Sequence, residues 1–316
     1  MFHFSLPGLF VPAVLVVQPL SAECIFPWER ETLPADVVRT ALQPDWVFCE
    51  APCDWREQVS GIFRPLVRDC STAREAVLKI ASQMTAVTGV YYSMERRKAN
   101  MNALEALSEK KVSCTGQSIL LVCALRSVGI PARVAWVMSW NHVPGNHTWV
   151  EVWVDGDWRM IEFNEHDFNT PWVMEGIGML NTSRPEQRVY AVAGGSLEKT
   201  LPLSCATVSS LEVVDVTARY EQLARQWYAE NGHRADCQRV LVDIQPRCDV
   251  SEPIELVDEQ GKIVARASLP TSCDDVREFA SLFLPRTGKH VLRTPTGSRE
   301  LEATQQPVRI IRLSRE

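Results

Sequence analysis

One stretch, residues 113–135 (SCTGQSILLVCALRSVGIPARVA), constrains this chain more than any other. Between Ser118 and Val128 it is apolar nearly all round, so as a helix it must be covered on every side. Ser113 is a good N-cap, and Gln117 lies one helical turn beyond it. Gly129, with Pro131 just after it, is a common stop pattern. The segment therefore reads as a buried helix with Cys114 in its first turn.

That position matters chemically. At a helix start the amide N–H groups and the positive end of the dipole favour thiolate over thiol. The same N–H groups suit an oxyanion formed when the thiolate attacks a carbonyl. Thr115 and Gly116 are small, which leaves room for close approach of a substrate. Cys123, in the middle of the apolar run, reads as an inert small hydrophobe.

A histidine follows in NHTWVEVWVDGDWRMIEF. His147 opens an alternating segment, in which Trp149, Glu151 and Trp153 share its parity and Val150, Val152 and Val154 take the other face. Asp155-Gly156 reads as a hairpin turn, and residues 157–163 as the return strand. In an antiparallel pair the start of one strand faces the end of the next. Glu162, or Glu165 in the following loop, can thus reach the imidazole and hold it as the acid of a Cys-His-acid triad. Asp167 and Asn169 are the next candidates for that role. His142 reads as a loop residue rather than as a metal ligand.

These residues carry a resemblance. Residues 114–135 and 147–163 are similar to the core of the transglutaminase-like superfamily, with GIPAR (129–133) and HTWVEVW (147–153) as the specific parts. Residues 55–84 resemble the helical lead-in of its bacterial exported members, and Trp158, Glu165, Asn169 and Trp172 resemble the region after the hairpin in that subgroup. The resemblance implies Cys114 as nucleophile and His147 as base. It leaves the acid open: Glu162 stands where the superfamily commonly has Asp, and the exported subgroup places an acid at the position of Glu165. The implied fold class is α+β, a papain/transglutaminase-like core of helices on a small antiparallel sheet. A C-terminal β-sandwich-like domain follows, since VVDVTARY and the later strands resemble the β-sandwich module of exported transglutaminase-like proteins.

Composition sets the frame. The chain has 316 residues, 46% of them apolar, enough for a conventional core and for two domains. Net charge is −6 and no basic run is present, which argues against a nucleic-acid partner. Residues 1–22 hold an apolar run broken by prolines, with Leu20-Ser21-Ala22 as a cleavage site. They read as a cleaved secretory signal, with a retained anchor as the alternative. The expected divisions are a signal peptide at 1–22, a catalytic domain with its helical lead-in at 23–195, and a β-rich domain at 196–316. After signal cleavage no stable membrane insertion is expected. The localisation reading is secreted, periplasmic or cell surface.

Ten cysteines fall into two outer sets of four, with Cys114 and Cys123 between them. Cys24, Cys49, Cys53 and Cys70 precede the helix; Cys205, Cys237, Cys248 and Cys273 lie in the last third. Even sets suit disulfides in an oxidising compartment. No CxxC pair occurs and the histidines are not interleaved, so neither metal nor cofactor is expected. No loop resembles an EF-hand.

Helical periodicity predicts short or medium helices at 35–42, 54–66, 71–87 and 102–107, and a possible short helix at 220–230. Strands are expected at 132–139, 147–155, 157–163, 211–218, 238–244, 253–257, 262–267 and 291–294. The functional expectation is an exported cysteine-dependent enzyme of hydrolytic type, a protease or amidase acting on peptide or protein amides through a thioester. The alternative is a non-catalytic binding or structural module of the same fold at the cell surface.

Overall fold

The computed structural model describes residues 26–194, 211–231, 236–273 and 279–315. The expected signal segment, 1–22, lies outside them, as do Cys24 and Cys205. The chain forms two units: Met1–Val134 with Trp149–Phe168 and Val192–Val213, and Ala135–Thr148 with Asn169–Ala191 and Val214–Glu316.

The first unit is built around the apolar helix. A 3-10 turn at Pro27–Arg30 leads into α1 (Ala35–Ala41), α2 (Arg56–Val67) and α3 (Ala73–Thr88). The short parallel strands β1 (Tyr91–Tyr92) and β2 (Lys111–Val112) flank α4 (Ala103–Glu109), and α5 (Cys114–Ser127) follows. Helices α2, α3 and α4 pack around α5. Helix α2 turns Val59, Phe63 and Val67 inward at helical spacing, and α3 turns Ala76, Val77, Ile80, Ala81 and Met84 inward. Within α5 nearly every residue from Thr115 to Ser127 is buried, as a helix apolar all round requires.

The end of α5 follows from Gly129. Its φ of 79° is the left-handed conformation that glycine adopts without steric cost. There the N–H of Gly129 reaches the Arg126 carbonyl at 3.2 Å and that of Ile130 reaches Leu125 at 3.1 Å, a Schellman ending. Arg126 itself is buried, and its guanidinium donates to the carbonyls of Ala41, Pro44, Trp46 and Ala132. Burial pulls its pKa down to about 10, and those four carbonyls replace its water.

Strand β3 (Ala132–Val137) leaves this unit after Val134, and β4 (His147–Val154) re-enters it at Trp149. A hairpin joins β4 to β5 (Asp157–Ile161), in register Val150↔Ile161, Glu151↔Met160 and Trp153↔Trp158. Asp155 and Gly156 both have positive φ, the turn geometry that matches strand twist. The return strand is shorter than expected, ending at Ile161 rather than at residue 163. Asn164 explains it: with φ 66° it turns the chain toward α3, its N–H bonding the Ala81 carbonyl and its side chain bonding Thr85 twice.

In the second unit, Ala135–Val137 of β3 pair antiparallel with β6 (Val189–Gly194). Helix α6 (Pro171–Gly178), which the sequence reading did not anticipate, precedes β6. Only Glu212–Asp215 (β7) of the strand expected at 211–218 is extended, because Asp215 accepts from the Thr217 N–H and starts α7 (Thr217–Glu230). Helices α6 and α7 pack together, with Gly178 giving way to the ring of Tyr228, whose hydroxyl donates to the Glu175 carbonyl.

The remainder is β8 (Cys237–Gln245), β9 (Pro253–Val257), β10 (Ile263–Ser268), β11 (Ala280–Pro285), β12 (His290–Thr294), β13 (Gly297–Leu301) and β14 (Val308–Ser314). They form two sheets, ordered β10-β9-β12-β13 and β11-β8-β14. Both contribute to one apolar core, including Val240, Val242 and Ile311 from the second and Ile254, Leu256 and Leu292 from the first. This is the sandwich arrangement expected. Strands β11, β13 and β14 were not anticipated; β14 pairs parallel with β8 and needs a partner distant in sequence.

The expected disulfides are not shown. No disulfide is formed among the described residues, so Cys49, Cys53 and Cys70 are not bridged to one another, nor are Cys237, Cys248 and Cys273.

Candidate active site

Cys114 is the first residue of α5 and is half-buried. The N-cap is formed as the sequence implies: Ser113 Oγ accepts from the Gly116 N–H at 3.0 Å. The same hydroxyl donates to the Ala99 carbonyl, which ties the cap to the preceding loop. The first intrahelical bond runs from the Gln117 N–H to the Ser113 carbonyl at 2.9 Å. Cys114 therefore sits where the helix dipole favours a negative charge. Thr115 is buried, and a Cβ on Gly116 would come within 3.0 Å of the Val112 side chain. Gly116 is thus packed closely against β2. Cys123 is fully covered, and burial drives its thiol pKa well above the ordinary value.

His147 is the first residue of β4 and is half-buried. Aromatic rings surround it. The ring of Trp172 lies 4.5 Å away, centroid to centroid, and that of Trp140 6.3 Å away, with its plane inclined by 27°. Trp140 also meets Trp172 edge-on at 6.0 Å and His142 at 5.5 Å. Gly176 admits this packing: a Cβ there would lie 2.9 Å from the Trp140 ring and 3.0 Å from that of His142. His142 has its Nδ1 buried and without a hydrogen-bond partner among the described residues. Burial first, then the charge of Arg312, pull its pKa down to about 4. Its ring is therefore neutral at neutral pH.

Of the acids, Glu162 is buried and directly follows β5. It directly follows the last pair of the hairpin, Val150↔Ile161, and has the parity of Met160, which pairs with Glu151. Glu165 is half-buried; burial raises its pKa, the neighbouring Glu162 charge adds to that, and His166 opposes it. The Glu165 N–H meets the Glu162 carbonyl at 3.4 Å, so the two rival acids share one turn of chain. Asp167 accepts from the N–H of Phe168, and Asn169 is left-handed, with φ 60°. Cys114, Glu162 and Glu165 belong to the first unit and His147 to the second.

Trp172 and Trp140 are the side chains that sequence reasoning did not attach to His147. A tryptophan cluster was legible; which ring meets the imidazole was not. Among the described residues no group of three or more His, Cys, Asp and Glu is arranged to hold a metal ion. No described helix is long and apolar enough to cross a membrane.

Residues 61–163 match the Transglutaminase-like superfamily, a stretch that includes Cys114, His147 and Glu162 and stops short of Glu165. No curated protein matches the chain. Among solved structures, red sea bream transglutaminase is 11% identical over 88% of this chain and 66% of its own, with a TM-score of 0.41. The periplasmic domain of TgpA from Pseudomonas aeruginosa is 17% identical over 36% of this chain and 46% of its own, with a TM-score of 0.30. A candidate cysteine protease from Cytophaga hutchinsonii is 18% identical over 34% of this chain and 37% of its own, with a TM-score of 0.30. The match thus spans less than half the length of the Cytophaga and Pseudomonas chains.

Proposed function

We propose, from the match of residues 61–163 to the transglutaminase-like superfamily, that this protein is an exported, cysteine-dependent acyl-transfer enzyme that hydrolyses amide bonds of peptides or proteins. The observation that carries the reading is Cys114 at the first position of α5, behind the Ser113 cap. Export is proposed on the character of residues 1–22.

In this mechanism a ring nitrogen of His147 takes the proton of the Cys114 thiol, and the sulfur attacks the amide carbon. Amide N–H groups at the helix start stabilise the oxyanion. The C–N bond breaks, the leaving amine takes the proton from the imidazolium, and a thioester remains. His147 then deprotonates a water, which attacks the thioester; the acid leaves and the proton returns to sulfur. Glu162 holds the imidazole and supports its charge, with Glu165 as the rival for that role. An amine in place of water would make the same site a crosslinking enzyme. Hydrolysis is favoured because water is always available.

The test compares Cys114→Ala and His147→Ala with wild type on casein and on peptide amides. Both variants should lose activity. If both match an active wild type, the assignment fails.

Glu162, in place of the usual Asp, favours a second reading: a binding module that keeps the fold without the chemistry. Iodoacetamide labelling against pH separates the two. A catalytic Cys114 is alkylated well below the ordinary thiol pKa of about 8.5, whereas the binding module reacts only around that value.

A further inference from the structure

We propose that Trp172 is a positioning residue for His147: its indole flanks the imidazole, holds the ring in one orientation and favours its protonated form. The inference rests on the reading of His147 as the base.

Three rings, those of His147, Trp140 and Trp172, are in mutual contact, with centroid separations of 4.5, 6.0 and 6.3 Å. An imidazole so flanked loses rotational freedom that one standing in water would keep. An aromatic face is also attracted to a cation, so it favours the imidazolium that forms when His147 takes the thiol proton. The neighbouring His142, held neutral, adds no competing positive charge.

The backbone around Trp172 is built to fix the indole. Asn169 adopts the left-handed conformation, and Pro171 opens α6 with its φ already helical. Trp172 is thus the second residue of a helix anchored by buried Val173, Met174 and Ile177. One turn on, Gly176 opens the space into which Trp140 packs, and Trp140 in turn meets the edge of Trp172. Yet Trp172 remains 46% exposed. A large ring left half in water contributes little to the core. Among the described residues its indole meets the rings of His147 and Trp140, a position suited to the imidazole.

The test uses the full chain and iodoacetamide as the probe, with labelling of Cys114 followed by peptide mass spectrometry at pH 6.5. The half-exposed position lets Trp172 variants fold. His147→Ala should slow alkylation. Trp172→Ala should slow it about fivefold, and Trp172→Phe should stay within about twofold of wild type, since any aromatic ring supplies the flanking face. In parallel, the ring C–H resonances of His147 should show an upfield ring-current shift in wild type that Trp172→Ala loses. A Trp172→Ala rate equal to wild type overturns the proposal, as does a Phe variant as slow as the Ala variant. His147 resonances unchanged by Trp172→Ala also overturn it. If His147→Ala itself alkylates at the wild-type rate, the base reading falls and this inference falls with it. Slow labelling in His147→Ala beside normal labelling in Trp172→Ala sinks the Trp172 role alone.

Discussion

Arg133 and Glu151 form a buried ion pair: Nε and Nη2 of the guanidinium both lie 2.8 Å from the same carboxylate oxygen. The guanidinium also stacks 3.9 Å over the ring of Trp158. Arg133 closes the GIPAR stretch and Glu151 sits inside HTWVEVW, so the two most specific parts of the sequence are tied together. Breaking a buried pair leaves one charge without compensation. Arg133→Ala should therefore lower the unfolding free energy by about 3–5 kcal/mol in urea denaturation. Replacing both partners by apolar residues, Arg133→Met with Glu151→Leu, should recover most of that loss. A single-variant loss no larger than that of an exposed pair would refute a structural role.

Ser113 links stability to reactivity. Its hydroxyl caps α5 and holds the Ala99 loop, and the residue is buried. Ser113→Ala should cost about 1–2 kcal/mol. It should also slow alkylation of Cys114, because the first turn that supports the thiolate frays. Unchanged labelling in a destabilised variant would separate the cap from the chemistry.

The orienting acid is decided by two conservative changes. Glu162→Gln should lower kcat by about 100-fold or more with little change in KM, since it acts on the tautomer and charge of His147 rather than on substrate. Glu165→Gln should have a small effect. The reverse result would make Glu165 the orienter, and no effect from either would leave a Cys-His dyad or pass the role to Asp167 or Asn169.

His142 predicts a pH dependence of stability. Its folded pKa of about 4 lies below the ordinary 6.5, so between these values the unfolded chain binds more protons than the folded one. Stability should fall as pH drops from 6.5 toward 4 and the His142 contribution should level off below that. His142→Phe removes this contribution. Its stability relative to wild type, measured by urea denaturation across that range, should rise as the pH falls. A constant difference would show that His142 does not titrate in this way.

The features legible in the sequence are those set by neighbours along the chain. The Ser113 cap, the apolar run and Gly129 define α5 within a few residues of its observed bounds. The Asp155-Gly156 turn and the alternation on either side define the β4–β5 hairpin and the shared face of Glu151 and Met160. Both depend on local propensity and on the period of the pattern, which a single chain displays.

Tertiary structure decided the rest. Where β5 stops depends on Asn164 docking against α3, a partner about eighty residues earlier in the chain. That Gly116 packs on Val112, that Arg133 meets Glu151 and that Trp172 flanks His147 depend on which surfaces come together in space. Strand β14 likewise exists because β8 offers it an edge. A residue's type and spacing state what it can do; its partner is a matter of three-dimensional packing, because hydrogen bonds, ion pairs and ring contacts act over a few ångströms whatever the separation in sequence.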